Sequence, residues 1–299
     1  MRFQNSHVLV AGTGKLIEGI LLCLLKAGHH VWFWPGNPAF PISPGLSQAL
    51  SDSINRGTLH PIKKLEEIKG LDLAVAVTPE DLQQKKEMVG SLEGVLGHDC
   101  LIAINSENIP LSRIQQDAAY PERLLGLNWT EPAHTTFFLE VISNSANRKE
   151  DIADLVKLAK EDWEKDPYVL ENNEGIRAKL LAALVREAFY LIENGYVGVE
   201  DIDRACRNDA GYYLPFAGNC RYMDLMGTWA YGAVMADLNP ELSNSSHIPD
   251  FFMQIINAGG KGMENGEGFY TYSEEDKKMI QESFQKFSQE IRELMAKYP

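Results

Sequence analysis

The 299-residue chain has only four cysteines, and Cys23, Cys100, Cys206 and Cys220 lie far apart with no CxxC pair, so neither a disulfide scaffold nor a zinc site is indicated. Positive charge is also scarce: 28 Lys and Arg stand against 42 Asp and Glu, a net charge of −14. Such a field repels phosphate backbones and anionic membrane surfaces, which excludes nucleic acid as a partner class. Long apolar runs are missing as well. Ile20 to Leu25 is among the longest, far short of the roughly 20 residues a bilayer span needs. The opening MRFQNSHVLVAG runs straight into a strand pattern without a charged n-region or cleavage site, so the expectation is a cytoplasmic protein with no membrane partner. No internal repeat and no low-complexity segment is present. What remains is a composition of 44% hydrophobic and 23% charged residues, that of a globular protein, at a length that favours two domains.

The first half alternates short apolar runs with helical patterns, as βαβ units of a parallel sheet do. His7 to Ala11 reads as a strand, Leu16 to Lys26 as its helix closed by Gly28, and His30 to Trp34 as a second strand ended by Pro35, Gly36, Asn37 and Pro38. Leu73 to Val77, Leu101 to Asn105, Leu124 to Asn128 and Phe137 to Ile142 read as further strands of the same buried parallel kind, with a helix from Pro79 to Met88. A helix from Lys149 to Trp163 and a short strand at Tyr168 to Leu170 complete the alternation. The polar linker Glu171 to Gly175 follows, and beyond it the pattern turns helical. Ile176, Leu180, Leu184, Ala188 and Leu191 mark one long helix. The last helix starts at the N-cap Ser273 and carries the stripe Ile280, Phe284, Phe287, Ile291 and Leu294. The apolar helix Ile176 to Leu191 and the segment Tyr212 to Met226, rich in Tyr, Phe, Leu and Met, exceed what one small helical domain buries, and a homodimer is expected.

Gly12 and Gly14 stand in the turn between the first strand and its helix. There a missing Cβ permits the tight turn and lets a pyrophosphate approach the backbone N–H groups. The third position of a GxGxxG turn is Ile17, and the second strand ends in Trp34 and Pro35 where an acid normally holds the adenosine ribose. Two readings stand at this point: a dinucleotide site, or a doubly wound domain that kept the turn for folding and lost the cofactor.

The stretches VLVAGTGKLIEGI, DLAVAVTPEDLQQKKEM, LIAINSENIPLSRI, LLGLNWTEPAHTTFFLEVI, ENGYVGVEDIDRA, MDLMG and NGEGFYTY, taken in order, resemble the 3-hydroxyacyl-CoA dehydrogenase family. The resemblance implies an α/β Rossmann domain with a doubly wound parallel sheet over residues 1 to 172. An all-helical substrate and dimerisation domain, like the C-terminal domain of 6-phosphogluconate dehydrogenase, follows over 173 to 299. It implies an oxidoreductase of fatty acid metabolism using NAD. NADP stays open because neither a strand-two carboxylate nor a neighbouring arginine is present, and the altered strand-two end predicts weak binding. Carried over, Glu80, Lys85 and Asn105 match positions along the nicotinamide and ribose half of the cofactor.

The catalytic positions depart from the family. Its proton-accepting histidine opens the segment HFFNP; here that segment is Asn128, Trp129, Thr130, Glu131 and Pro132. The glutamate that orients the imidazole survives as Glu140. A serine that touches the reacting oxygen is replaced by Glu107, and the family's asparagine at the first C-terminal helix falls on or beside Ala178. An amide exchanges no proton near neutral pH, so Asn128 is no base, and its loss removes on the order of 10² to 10⁴ in rate if nothing replaces it. Glu107 is then the best remaining base, with Asn128 orienting the substrate oxygen; the competing reading pairs Glu107 with Arg177 or Lys179. His134 reads as an exposed loop histidine. Residues 36 to 71, with Arg56, Lys63, Lys64 and Lys69 as their cations, are too short for the family's Lys-rich arm, which puts CoA in doubt. Two functions follow: an NAD-linked dehydrogenase of a small hydroxy acid or hydroxyacyl substrate with altered acid-base residues, or a non-catalytic homologue that keeps fold and dimer for binding.

Overall fold

The computed structural model describes residues 6–36, 48–68 and 70–298. Asn37, Pro38 and Lys69 lie outside the described residues. The chain divides into two compact units, Met1–Ala178 and Lys179–Pro299.

The first unit is built on one eight-stranded sheet. In chain order its strands are β1 (His7–Gly12), β2 (His30–Trp34), β3 (Leu59–Pro61), β4 (Leu73–Val77), β5 (Leu101–Ile104), β6 (Leu124–Asn128), β7 (Phe138–Ile142) and β8 (Asp166–Leu170). They lie side by side as β3-β2-β1-β4-β5-β6-β7-β8. This is the doubly wound arrangement, with the order reversing at β1. The helices α1 (Leu16–Lys26), α2 (Gln48–Asn55) and α5 (Lys149–Glu161) contribute to the core on one face of the sheet, while α3 (Leu82–Glu93) and α4 (Leu111–Gln115) contribute to the other. Successive residues of β1 divide accordingly: Val8 and Val10 join the first core, Leu9 and Ala11 the second. A strand buried on both faces must be apolar at every position, which is why these runs carry no polar alternation.

Two features depart from the sequence reading. β7 runs antiparallel to β6, although β8 then pairs parallel to β7. The connection between β6 and β7, residues 129–137, holds no helix and is too short for a crossover, so the chain can only fold back beside itself. The stretch between β2 and β4 holds α2 and β3, both too short to show a periodicity of their own.

His29, buried just before β2, binds the end of α5 to the start of the sheet. Its Nε2 accepts from the Trp163 indole N–H at 2.9 Å, which places the ring proton on Nδ1, 3.2 Å from the Ser6 hydroxyl. Burial lowers the imidazole pKa below its ordinary 6.5. The unfolded chain therefore takes up this proton first. The stability contribution is complete above the unfolded pKa near 6.5 and is lost as the pH falls through the lower folded value. Urea midpoints measured from neutral to mildly acidic pH are expected to fall less steeply in His29→Gln, which keeps an acceptor for Trp163 and does not titrate; equal slopes would remove this role.

The second unit is helical. After α6 (Arg177–Glu193), whose first two residues belong to the first unit, come α7 (Val199–Asn208), α8 (Ala210–Met226), α9 (Thr228–Leu238), α10 (Asp250–Asn257) and α11 (Glu274–Lys297). α8 is broken at Gly218, whose φ of 64° lies in the left-handed region. Ser273 caps α11 as its sequence predicts: its hydroxyl accepts from the Asp276 N–H, and the Asp276 carboxylate accepts from the Ser273 N–H in return. Among the described residues no helix is long and apolar enough to cross a membrane.

Candidate active site

The carboxyl ends of the parallel strands hold the candidate residues, where open α/β sheets place their ligands. Gly12 closes β1 with φ +110°, and a Cβ there would lie 1.8 Å from the Val77 carbonyl oxygen, so both conformation and contact demand glycine. Gly14 has φ +120°, but no atom lies within 4 Å of where its Cβ would be. The first turn of α1 has no side-chain cap. An open glycine before a helix start that has no side-chain cap fits a dinucleotide pyrophosphate, and Gly12, Gly14 and that first turn are the groups that would hold it. Ile17, at the third glycine position, is buried in the core instead. The close approach that glycine usually serves has moved to Gly19, whose Cβ would meet the Ala133 nitrogen at 2.8 Å. The sequence signal for Gly19 was a glycine inside an otherwise good helix.

Glu80, Lys85 and Asn105 come together at the ends of β4 and β5. The Asn105 carboxamide exchanges hydrogen bonds with the Thr78 backbone: its oxygen accepts from the N–H at 2.8 Å and its nitrogen donates to the carbonyl at 2.9 Å. Lys85 is fully buried and donates to the Asn105 carbonyl at 2.8 Å, to Thr78 Oγ1 at 3.2 Å and to Glu80 at 2.9 Å. Burial, countered by Glu80, lowers the Lys85 pKa. Glu80 Oε1 accepts from the N–H groups of Asn108 and Ile109, which pins the loop after β5. This network thus fixes the loop that carries Glu107.

Asn128 and Glu140 face each other across the antiparallel β6–β7 pair. Both are fully buried. Asn128 Oδ1 accepts from the Ser106 N–H at 2.7 Å, and its nitrogen donates to the Ser106 carbonyl at 3.0 Å and to Glu140 Oε2 at 2.8 Å. Both amide protons are spent inside the protein. Asn128 therefore holds Glu140 and the β5 loop, and none of its protons is left for orienting a substrate oxygen, the role expected of it.

Glu140 in turn accepts through Oε1 from the Tyr168 hydroxyl at 2.9 Å and from the backbone N–H groups of Ile176 at 2.9 Å and Arg177 at 3.3 Å. It caps the start of α6. Burial and the Glu140 carboxylate push the Tyr168 pKa well above its ordinary value. Gly175 packs so closely on this carboxylate that a Cβ there would stand 2.3 Å from Oε2. Asn173, in the left-handed region at φ 70°, sets up that approach, and its carbonyl accepts from the Leu111 N–H. Neither Tyr168 nor Gly175 was singled out from sequence, since their partner is Glu140, distant along the chain.

Glu107 is half-buried, and its Oε2 accepts from Arg177 Nη1 at 2.9 Å. Of the two cations considered from the sequence, Arg177 makes this ion pair. Two influences oppose each other at Glu107: burial raises its pKa and Arg177 lowers it, with Glu80 and Glu140 adding to the rise, and the outcome lies above the ordinary carboxylate value. Arg177 Nη2 reaches Thr130 Oγ1 at 3.5 Å, and the guanidinium lies 5.8 Å from the Phe138 ring centre. The loop between β6 and β7 is locked from below by Lys165, which donates to the carbonyls of Ala133 and Thr136. His134 is half-buried in that loop, not exposed. Among the described residues no group of His, Cys, Asp or Glu could hold a metal ion.

At the end of β2, Trp34 and Pro35 leave no carboxylate for an adenosine ribose. Pro35→Asp is expected to tighten NADH binding by about tenfold, the worth of one hydrogen bond to a charged group. Fluorescence titration measures it, and an unchanged affinity would mean that the adenosine lies elsewhere.

Comparison with known proteins agrees with this picture. Residues 45–173 match the model of the 3-hydroxyacyl-CoA dehydrogenase NAD binding domain and residues 176–272 that of the family's C-terminal domain. The glycine turn precedes the matched span and rests on its own geometry. The chain is 27% identical over 288 residues to 5-formyl-3-hydroxy-2-methylpyridine 4-carboxylate 5-dehydrogenase of Mesorhizobium japonicum, covering 92% of this chain and 93% of that protein. It is 30% identical over 212 residues to the fatty acid oxidation complex subunit alpha of Shewanella putrefaciens, which spans 71% of this chain but only 29% of that longer protein. A crystal structure of 5-formyl-3-hydroxy-2-methylpyridine 4-carboxylic acid 5-dehydrogenase, described as an NAD+ dependent dismutase, superposes with a TM-score of 0.89 at 24% identity, over 97% of this chain and 98% of that one. With both domain models matched in order on the expected architecture, the chain belongs to the 3-hydroxyacyl-CoA dehydrogenase family of NAD-dependent oxidoreductases.

Proposed function

We propose that this protein is an NAD-linked dehydrogenase of a small hydroxy acid, in which Glu107 replaces the family histidine as the group that takes the hydroxyl proton. The observation that carries this reading is the state of Glu107: a partly open carboxyl whose burial outweighs its arginine partner, so that its pKa is raised toward the working range of a general base. When bound, the nicotinamide supplies the hydride acceptor. In the oxidation direction the carbinol C–H bond breaks with its electron pair leaving as hydride, the O–H proton passes to the Glu107 carboxylate, and a carbonyl product forms. Gly12 and Gly14 would receive the pyrophosphate, and Glu80, Lys85 and Asn105 would shape the wall along the nicotinamide half. Glu140 holds the start of α6, and with it Arg177, in register with Glu107. The name of the Mesorhizobium relative supports a small carboxylate as substrate.

A non-catalytic reading is favoured by one observation, the fully engaged carboxamide at the histidine position. Reduction of NAD by a panel of small aliphatic and aromatic hydroxy acids separates the two; no reduction with any of them, in protein that binds NADH, would leave the non-catalytic reading.

The same reading includes a homodimer. Helices α6 to α10 of the second unit bury none of their residues, and Trp229 and Tyr212 are 86% and 84% exposed. Monomers rarely leave so much apolar surface in water. Light scattering at micromolar concentration is expected to give twice the chain mass, and a single monomeric mass would remove the claim.

A further inference from the structure

We propose that Arg177 is the anion-recognition residue of this site, and that a substrate carboxylate releases Glu107 for proton transfer by taking Arg177 away from it. The proposal deepens the dehydrogenase reading and rests on the role given there to Glu107.

The geometry of the arginine carries the argument. A guanidinium has five N–H donors in a planar fork. Among the described residues Arg177 spends one on Glu107 Oε2 and one, at 3.5 Å, on Thr130 Oγ1. The ion pair with Glu107 is therefore single-pronged, and donors remain for a two-pronged grip on a second carboxylate. The side chains of Arg177 and Glu107 are 34% and 25% exposed, so a small ligand can reach both. The backbone of Arg177 is fixed, because its own N–H donates to Glu140, which Asn128 holds from the other side. The Phe138 ring lies near the guanidinium and offers an apolar surface beside the charge.

Charge then supplies the switch. The groups that act on Glu107 are Arg177 from α6, Glu80 and Lys85 from the ends of β4 and α3, and Glu140 and Tyr168 from β7 and β8. Arg177 is the largest influence that keeps the Glu107 proton off. A substrate carboxylate seated on Arg177 cancels that attraction and adds a negative neighbour, and both changes raise the Glu107 pKa. A neutral substrate leaves Glu107 ion-paired and a weak base. Selection for an anionic substrate is thereby written into the proton-transfer group as well as into binding.

The test uses 3-hydroxybutyrate and pyridine-4-carboxylate with their neutral amides as probes. Calorimetry reads binding, and carbon NMR of labelled glutamate reads the titration of Glu107, assigned by its absence in Glu107→Gln. Saturating carboxylate is expected to raise the Glu107 midpoint by about one pH unit or more, and the amides to leave it in place. Arg177→Gln is expected to weaken carboxylate binding at least about tenfold with little change for the amides, and Arg177→Lys, which keeps the charge but loses the fork, to fall between. Equal affinity for acid and amide, no binding of either acid, or an unmoved Glu107 titration in the wild-type protein would overturn the proposal, with no variant needed. None of these readings depends on cofactor. If they come out as expected in a protein that fails to bind NADH, the anion site stands and the dehydrogenase reading alone falls; if they fail while NADH binds, only the present inference is lost.

Discussion

Glu107→Gln is expected to lower turnover by a factor on the order of 10² to 10⁴ while folding and NADH binding stay intact, the usual worth of a positioned general base. Glutamine keeps the size and one oxygen of the side chain, so a loss of that size reports the missing proton acceptor rather than a collapsed site. The pH profile adds a second reading. Oxidation needs Glu107 ionised, so the rate rises as the pH climbs through its pKa, and that limb lies above the ordinary carboxylate value of 4.5. In Arg177→Gln the influence that lowers this pKa is gone and the limb moves to higher pH. Unchanged turnover in Glu107→Gln would eliminate the base role. Loss of stability without loss of chemistry per folded molecule would leave only the ion pair with Arg177.

The second large effect concerns stability and comes from an isosteric change. Among the described residues, the polar groups that meet the Glu140 carboxylate are all donors: the Asn128 amide, the Tyr168 hydroxyl and the N–H groups of Ile176 and Arg177. Glu140→Gln turns one acceptor into an NH2 that must face a donor. Turned toward Asn128, it meets an amide that cannot flip, because flipping would break both bonds to the Ser106 backbone. Turned toward α6, it leaves two backbone N–H groups without their acceptor. The expected cost is roughly 1–3 kcal/mol of stability, the penalty for a buried polar group left unsatisfied. Denaturant titration measures it. A variant as stable as the parent would show that the start of α6 does not depend on this cap.

The strands and helices of the first unit were legible in the sequence because buried parallel strands are continuous apolar runs and turn residues punctuate them. β2 at His30–Trp34, β4 at Leu73–Val77 and α1 at Leu16–Lys26 coincide with those runs residue for residue. The direction of β7 was not legible, because an apolar run carries no sign of its sense; only the helix-free connection from 129 to 137 decides it. α2 and β3 were missed because eight and three residues cannot display a period.

At the site, residue types and spacing do not reveal the hydrogen bonds. The resemblance places Glu80, Lys85 and Asn105 along a cofactor; they share one corner, joined to each other through Lys85 and otherwise bonded to Thr78 and to the N–H groups of Asn108 and Ile109. The sequence shows Asn128 to be no base, yet its attachment to Ser106 depends on how β5 and β6 end side by side, which spacing does not reveal. For Glu107 two readings were open, base or ion pair. The ion pair with Arg177 is formed, and burial still raises the carboxyl pKa.

Whether this family member uses NAD is decided by titrating the purified protein with NADH and following nicotinamide fluorescence. Saturable binding below millimolar cofactor is expected from the open turn at Gly14 and the start of α1, which has no side-chain cap. No binding at millimolar NADH would contradict it.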